Sequence, residues 1–384
     1  MLFPKRNAIG PKERAAILEC MEFYRQTGED LPYGGEFNKR YTAALRAYFG
    51  LKHALTVSSG TAALFVALKA LNLPAGSTVI CSPITDPGCV SAITMNGLRL
   101  RLADTAEDSF SMDPAQIAAR LDAEVSAVMY VHAAGHATNL SDLRRTLDQR
   151  GVYLLEDISQ AHGARCNGKI AGQYGHIAAI STMYRKAHIS GSNGGAILTD
   201  DPALYRRSVM NADRGKDKLA TGFDDRDPAH YDLPGLNFNL DEIACAIGVA
   251  SLGRLDETRK NRMRYVMAVR ERLAQIKLNF TISDLTAEDS PFLVPVKCPT
   301  GWSVEQKIAF AEKLRAAGVP LSPHYKYLVA EWDYARKLGL SLDDVPRAKA
   351  AQNIHFCLYV NEKYGESEAE FAVSKIHELM QRSA

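Results

Sequence analysis

Between residues 40 and 200 the chain alternates short apolar runs with helical patterns, and most of those runs are continuous rather than alternating. A strand with a polar residue at every second position keeps one wet face. A strand without them is covered on both faces, the mark of a mainly parallel sheet between helices. "HALTVSSG" runs as a strand into the apolar helix "TAALFVALKALNL", and "STVICSP" leads to the capped helix "DPGCVSAITMNG". "LRLRLAD" alternates, and "DPAQIAARLD" carries proline in the first turn of a helix. "VSAVMYVHAAG" and "VYLLED" bracket the helix "LSDLRRTLDQRG". The rhythm begins after the helix "YTAALRAYFG" and ends near "GGAILTDD". A helical region over about Leu240–Ile276 follows, and "FLVPVKCP" opens a smaller α+β part. These patterns predict a large domain over residues 1–255 and a small one over 256–384, with the N-terminal arm returning to the small domain.

A chain of 384 residues, 46% hydrophobic and 23% charged, buries a large core. A net charge of +2 is too balanced to point to nucleic acid or an anionic membrane. The seven cysteines show no CxxC or CxH spacing and read as small buried hydrophobes in a reducing compartment, with no metal expected. "MLFPKRNAIGPKERAAI" has no continuous apolar h-region and no run reaches membrane-spanning length, so a cytoplasmic protein is expected.

In open parallel sheets ligands sit beyond the carboxyl ends of the strands. Four such ends carry chemistry here. In "VSSGTAALFVAL", Gly60 allows close backbone approach, and the free N–H groups of the next helical turn, at Thr61 and Ala62, suit a phosphate. The plainer reading is a serine N-cap. In "VYLLEDISQAHG" a buried strand ends at Asp157, with Gln160 three residues on. A carboxylate there needs a cation or several donors, such as a protonated ring nitrogen, unless it merely caps the next turn. His162 alone reads as a satisfied core histidine. In "ISTMYRKAHISGSNGGAIL", Ser181 can join Thr61 on a phosphate, while Lys186 stands beside an apolar wall and another cation. Such a lysine has its pKa lowered and becomes an amine nucleophile; a solvated loop lysine is the ordinary alternative. In "SPITDPGCV", Asp86 before Pro87 reads first as a helix N-cap.

Taken together, a phosphate cradle, a buried carboxylate and a reactive lysine are the three contacts that pyridoxal 5'-phosphate (PLP) requires. A nicotinamide dehydrogenase is poorly supported, because "SSGTAA" has one glycine where GxGxxG needs three.

With "SSGTAAL", "VHAAG", "EDISQAHGA" and "STMYRK" in this order, and "GLNFNLDEIACAIGVASLGRLDE" and "PHYKYL" further on, residues 10–380 resemble the DegT-type sugar aminotransferases of PLP fold-type I. The resemblance implies a mainly parallel α/β sheet of the aspartate aminotransferase-like kind with a smaller C-terminal α+β domain. It makes Lys186 the lysine that holds the aldehyde and Asp157 the partner of the pyridine nitrogen. Gln160 would lie by the ring oxygen, and Thr61, Ala62 and Ser181 by the phosphate. Asn237 matches an asparagine that reaches the phosphate of a neighbouring subunit, implying a homodimer with shared sites. His324 and Tyr325 match a segment lining the substrate pocket, and His188 and Arg214 are further substrate-side candidates. Three departures stand where substrate is met. Asp86 occupies the place of the aromatic that stacks on the ring, "GSNGG" is one residue longer than the family's loop, and Asn239 replaces an arginine. They mark a divergent branch and leave open an acceptor other than the common 4-keto-6-deoxy sugar nucleotide.

The expected activity is transfer of an amino group from an amino acid, L-glutamate first, to a keto group of a sugar nucleotide or other phosphorylated carbohydrate. The alternatives are a PLP-dependent sugar dehydratase or lyase of the same fold, whose dehydratase members carry histidine in place of the lysine, and a non-catalytic regulatory or binding protein.

Overall fold

The computed structural model describes residues 3–282 and 285–382; the outer limits of the two expected domains, residues 1 and 384, lie outside them. Helices α1 (Pro11–Thr27) and α2 (Glu36–Phe49) precede the sheet. Then come β1 (His53–Val57), α3 (Gly60–Ala70), β2 (Thr78–Cys81), α4 (Pro87–Met95) and β3 (Arg99–Leu102). They are followed by α5 (Pro114–Ala118), β4 (Val125–Val131), α6 (Ser141–Gln149) and β5 (Tyr153–Asp157). A two-stranded ribbon of β6 (Arg165–Cys166) and β7 (Lys169–Ile170) leads to β8 (Ile177–Ser181), β9 (Gly195–Thr199) and α7 (Pro202–Ala212).

The central sheet has seven strands in the order β1-β9-β8-β5-β4-β2-β3. β3, β2, β4, β5 and β8 run parallel to one another, while β9 is antiparallel to both β8 and β1. Every residue of β2, β8 and β9 is buried, as continuous apolar runs require when helices cover both faces. The alternating "RLRL" of β3 fits its place at the sheet edge, where only Leu102 is fully buried. The register lines up the active edge. Val57 pairs with Gly195 and Gly195 with Ser181, while Asp157 pairs with Ala179 two residues back on β8. At about 3.3 Å per residue, Ser181 stands about 7 Å further along the strand direction than Asp157.

The helical region expected over Leu240–Ile276 is two helices, α8 (Glu242–Leu252) and α9 (Leu255–Ile276), parted at Gly253 and Arg254. α8 packs on α1 and α2, whereas α9 packs on the small domain. That domain holds β10 (Leu293–Lys297), α10 (Val304–Ala316), β11 (Leu321–Ser322), α11 (Asp333–Lys337), α12 (Pro346–Ile354), β12 (His355–Tyr359) and α13 (Glu366–Gln381). Its antiparallel sheet, β10-β12-β11, shares one core with α9 and α13. The helix expected in "DPAQIAARLD" is shorter than its pattern and ends at Ala118.

The segment before α1 lies against the stretch between β12 and α13. Phe3 meets the Tyr364 ring edge-on at 5.0 Å, and Asn361 Nδ2 donates to Pro4 O at 3.2 Å. α1 itself is fastened to α8, since Tyr24 Oη donates to Glu242 Oε2 at 2.7 Å.

Candidate active site

The phosphate end of the site begins at β1. Ser59 caps α3, its Oγ accepting from Ala62 N at 3.0 Å, so the N-cap reading of "SSGT" holds. The cap takes up the Ala62 N–H, so the expected Ala62 contact to a phosphate is a correction, and Ala63 N donates to Ser59 O at 3.0 Å. The Thr61 N–H and the positive end of the helix dipole still face an anion. Gly60 is required by close approach rather than by its dihedrals: a Cβ there would run into Ser181 Cβ and lie 2.9 Å from Ser181 Cα. The α3 N-terminus therefore sits against the end of β8, bringing Thr61, Ala62 and Ser181 together. Ser58 N donates to Phe238 O at 2.8 Å, which draws the 237–239 segment up to the same edge. Asn237 is exposed, its side chain turned to Tyr33 Oη and to Asn239.

Neighbouring residues in a strand face opposite sides, and this divides Glu156 from Asp157. Glu156 is fully enclosed and bonded to His132 Nε2 at 2.9 Å and to the N–H groups of Gly172 at 2.9 Å and Tyr174 at 2.7 Å. It staples the sheet to the loop before β8. Asp157 is also buried but less fully partnered. Its Oδ1 accepts from Ser159 N at 2.9 Å and its Oδ2 from the Cys89 thiol at 3.2 Å, with no guanidinium or ammonium in hydrogen-bond contact among the described residues. The Cys81 thiol beside it, burial and the Asp157 charge hold the Cys89 thiol well above its ordinary pKa, so it donates as a neutral group. A buried carboxylate met only by neutral donors leaves room for a cation.

Lys186 supplies the opposite arrangement. It is half-buried, donates no hydrogen bond among the described residues, and its Nζ stands 4.4 Å from the centroid of the Phe292 ring. Burial lowers its pKa, and Arg262 adds to the effect while Asp157, Asp86 and Cys89 oppose it. A lysine held this way gives up its proton more readily than a solvated one. Asp86 is exposed and caps α4 through Oδ1 and Gly88 N at 2.9 Å, as its plainer reading predicted, while its charge reaches the amine.

Gln160 Oε1 accepts from Ala134 N at 2.8 Å and pins a turn in which Ala134 has φ +58°, so this carbonyl is committed to backbone. Tyr325 is buried against Phe110, rings stacked at 5.4 Å. The next turn of its loop is tied to the end of β2 by Thr85 N donating to Tyr327 O at 3.0 Å. His324 is half-buried, and its Nδ1 accepts from Lys307 Nζ at 2.9 Å. Burial, with the charges of Lys307 and Lys349, pushes its pKa down to about 4.

Two expected substrate-side residues are held by neighbours other than Lys186. His188 is a correction: it is fully enclosed, shares a 2.5 Å hydrogen bond between its Nε2 and Tyr41 Oη, and has its pKa pushed down to about 3 by burial. Its own N–H group donates to His162 Nδ1 at 3.1 Å, so the side chain belongs to the packing of α2 against the lysine loop. Arg214 is exposed and held by Asp213 Oδ1 at 2.7 Å, with its guanidinium over the Tyr33 ring. It is grouped with Asn237, across the Asp213–Asn237 bridge, rather than with Lys186. Sequence reasoning missed Cys89, which alone carries no signal, and Phe292, which arrives from the strap before β10 more than a hundred residues after the lysine.

The residues present fit PLP. The α3 N-terminus meets Ser181 at a glycine that excludes a Cβ. Among the described residues no cation hydrogen-bonds Asp157, whose charge reaches the Lys186 amine, and that amine donates to no acceptor.

The model of the DegT/DnrJ/EryC1/StrS aminotransferase family matches residues 15–377. This chain belongs to that family, and it is a PLP-dependent aminotransferase. Among curated relatives, the GDP-perosamine synthase of Caulobacter vibrioides is 28% identical over 353 residues, covering 90% of this chain and 91% of that protein. Among solved structures, an aminotransferase from Psychrobacter cryohalolentis superposes with a TM-score of 0.87 at 23% identity, over 100% of this chain and 99% of the other. A GDP-4-keto-6-deoxymannose-3-dehydratase with bound GDP-perosamine superposes with a TM-score of 0.85 at 21% identity, over 96% of this chain and 97% of the other. At these identities both superpositions speak to fold.

Proposed function

We propose that the chain moves an amino group from an amino acid, L-glutamate first among donors, to the keto group of a sugar nucleotide or other phosphorylated carbohydrate. The observation that carries this reading is a lysine whose pKa burial lowers and whose amine donates to no acceptor among the described residues, set near a buried carboxylate that only neutral donors bond. The family membership and the curated relative named for GDP-perosamine support a nucleotide-linked acceptor.

When bound, PLP supplies an electrophilic aldehyde and a protonated pyridine ring that takes up the electron pair left at the donor's α-carbon. The Thr61 N–H and the Ser181 hydroxyl would hold the phosphate, with Ala62 beside them. Asp157 would accept a hydrogen bond from the ring N–H and keep that proton in place. The Lys186 amine would hold the aldehyde and, when free, move the proton from the donor's α-carbon and return one to the acceptor carbon. The Phe292 ring covers one side of the amine.

A dehydratase of the same fold would need another residue at the lysine position. Here Lys186 is present, and His188 is locked against Tyr41. The exposed Leu31, Tyr33 and Leu236 beside Asn237 support a homodimer with shared sites. The seven free thiols, six of them buried, support a reducing, cytoplasmic setting.

Incubation with PLP, L-glutamate and GDP-4-keto-6-deoxymannose, followed by mass spectrometry, tests the reading, with other keto-sugar nucleotides as further acceptors. An amino-sugar nucleotide formed in step with 2-oxoglutarate is expected. A nucleotide sugar that loses oxygen without gaining nitrogen makes the chain a dehydratase.

A further inference from the structure

We propose that Arg6 is a positioning residue for Lys186: the N-terminal arm holds the lysine-bearing turn by its carbonyls and ties it to the small domain through Glu362. The inference rests on Lys186 being the lysine that PLP meets.

Arg6 uses both edges of its guanidinium. Nη1 donates to Tyr184 O at 2.5 Å and Nη2 to Lys186 O at 2.6 Å, so the fork spans the two carbonyls flanking Arg185. Nε donates to both Glu362 oxygens, at 3.0 and 3.1 Å. A planar fork with five N–H donors makes this set of four contacts; an ammonium offers only three donors, all from one nitrogen, and does not reproduce it. The turn's own backbone bonds are Lys186 N donating to Met183 O at 2.9 Å and Tyr184 N to Ser192 O at 3.3 Å, and neither engages the Tyr184 or Lys186 carbonyl that Arg6 takes.

Glu362 serves a second arginine. Arg262, fully buried, donates from Nη2 to Glu362 Oε2 at 3.1 Å and from Nη1 to Pro291 O at 3.2 Å. Pro291 precedes Phe292, the ring against which the Lys186 amine lies. One small-domain carboxylate is therefore linked to the backbone of Lys186 through Arg6 and to the ring beside its amine through Arg262. The arm is anchored independently of the lysine turn. Arg254 Nη2 donates to Ala8 O at 2.9 Å, and Lys363 Nζ donates to Lys5 O at 3.2 Å. Charge-assisted hydrogen bonds to two carbonyls of one turn are strong enough to set where its side chain begins.

The test compares full-length wild type with R6Q, R6K, K363A and K186A. Three quantities are read: amide hydrogen exchange of residues 183–188 without PLP, the rate at which the visible band of lysine-bound PLP appears, and the melting temperature. R6Q should exchange about tenfold faster in this segment and form the band more slowly. R6K should fall between R6Q and wild type, because it keeps the charge without the fork. K363A, which cuts an arm contact away from the turn, should behave as wild type. Wild-type exchange and band formation in R6Q would overturn the proposal, and so would a K363A variant that matches R6Q. If R6Q does not fold, R6K decides: wild-type values in R6K overturn the clamp. A band that forms in K186A would instead sink the assignment of Lys186, while exchange in the PLP-free protein still judges the contact made by Arg6.

Discussion

Lys307 and Lys186 both stand in the protein's interior margins, and they are held in opposite ways. Lys307, on α10, is fully enclosed, and its three N–H bonds all end on acceptors: Gln352 O at 2.7 Å, His324 Nδ1 at 2.9 Å and His355 O at 3.0 Å. Lys186 is only half-buried, yet its amine meets a ring face and no acceptor. Burial lowers the pKa of both, to about 8 for Lys307. Burial alone therefore does not mark a reactive lysine. A buried ammonium with every donor satisfied is a brace, here holding α10, α12 and the His324 loop together, because removing it strands its acceptors. A buried amine with free donors, near carboxylates that do not bond it, is ready for a ligand.

The contrast is broken most sharply at the amine itself. K186A should lose turnover by about four orders of magnitude with an unchanged melting curve; measurable wild-type turnover would place the chemistry elsewhere. D157N, which offers the ring nitrogen a neutral amide, should cost about two to three orders of magnitude in turnover, read from kcat with saturating donor. K307M should act the other way, through stability. Three stranded acceptors should cost about 2–4 kcal/mol, seen as a lower denaturant midpoint with an unchanged slope. The smallest effect is in pH. With a native pKa of about 8 against an ordinary value near 10.4, Lys307 releases its proton in the folded chain while the unfolded chain still binds one. Below about pH 8 both states are protonated and the contribution is flat; from about pH 8 to about 10.4 wild-type stability should rise relative to K307M. A flat difference across that window would mean that the three acceptors outweigh burial and keep the proton on.

The parts of this site that stand within one βα unit were legible in the sequence. Continuous apolar strands predicted the parallel sheet, and the residues just beyond them, Gly60, Asp157, Ser181 and Lys186, come to one edge because β1, β5 and β8 end there. Which member of Glu156–Asp157 does chemistry was left to resemblance. The structure separates them by strand alternation and by the backbone donors that Glu156 collects. Arg6 and Phe292 were not legible, since each meets the lysine turn from more than a hundred residues away in sequence; nor was the Lys307–His324 pair, which joins α10 to the loop after β11. His188 shows the converse error. Two residues from the lysine in sequence, it is carried into the α2 packing by the turn of the chain, where Tyr41 holds it.

The most direct test is chemical trapping. The full-length protein is mixed with PLP, reduced with borohydride, digested and mapped by mass spectrometry. The account predicts that the reduced pyridoxyl group sits on Lys186 alone and that Lys307 stays unmodified. A label on Lys307, or one spread over surface lysines with Lys186 untouched, would contradict the claim that an unsatisfied amine, rather than a buried one, defines the site.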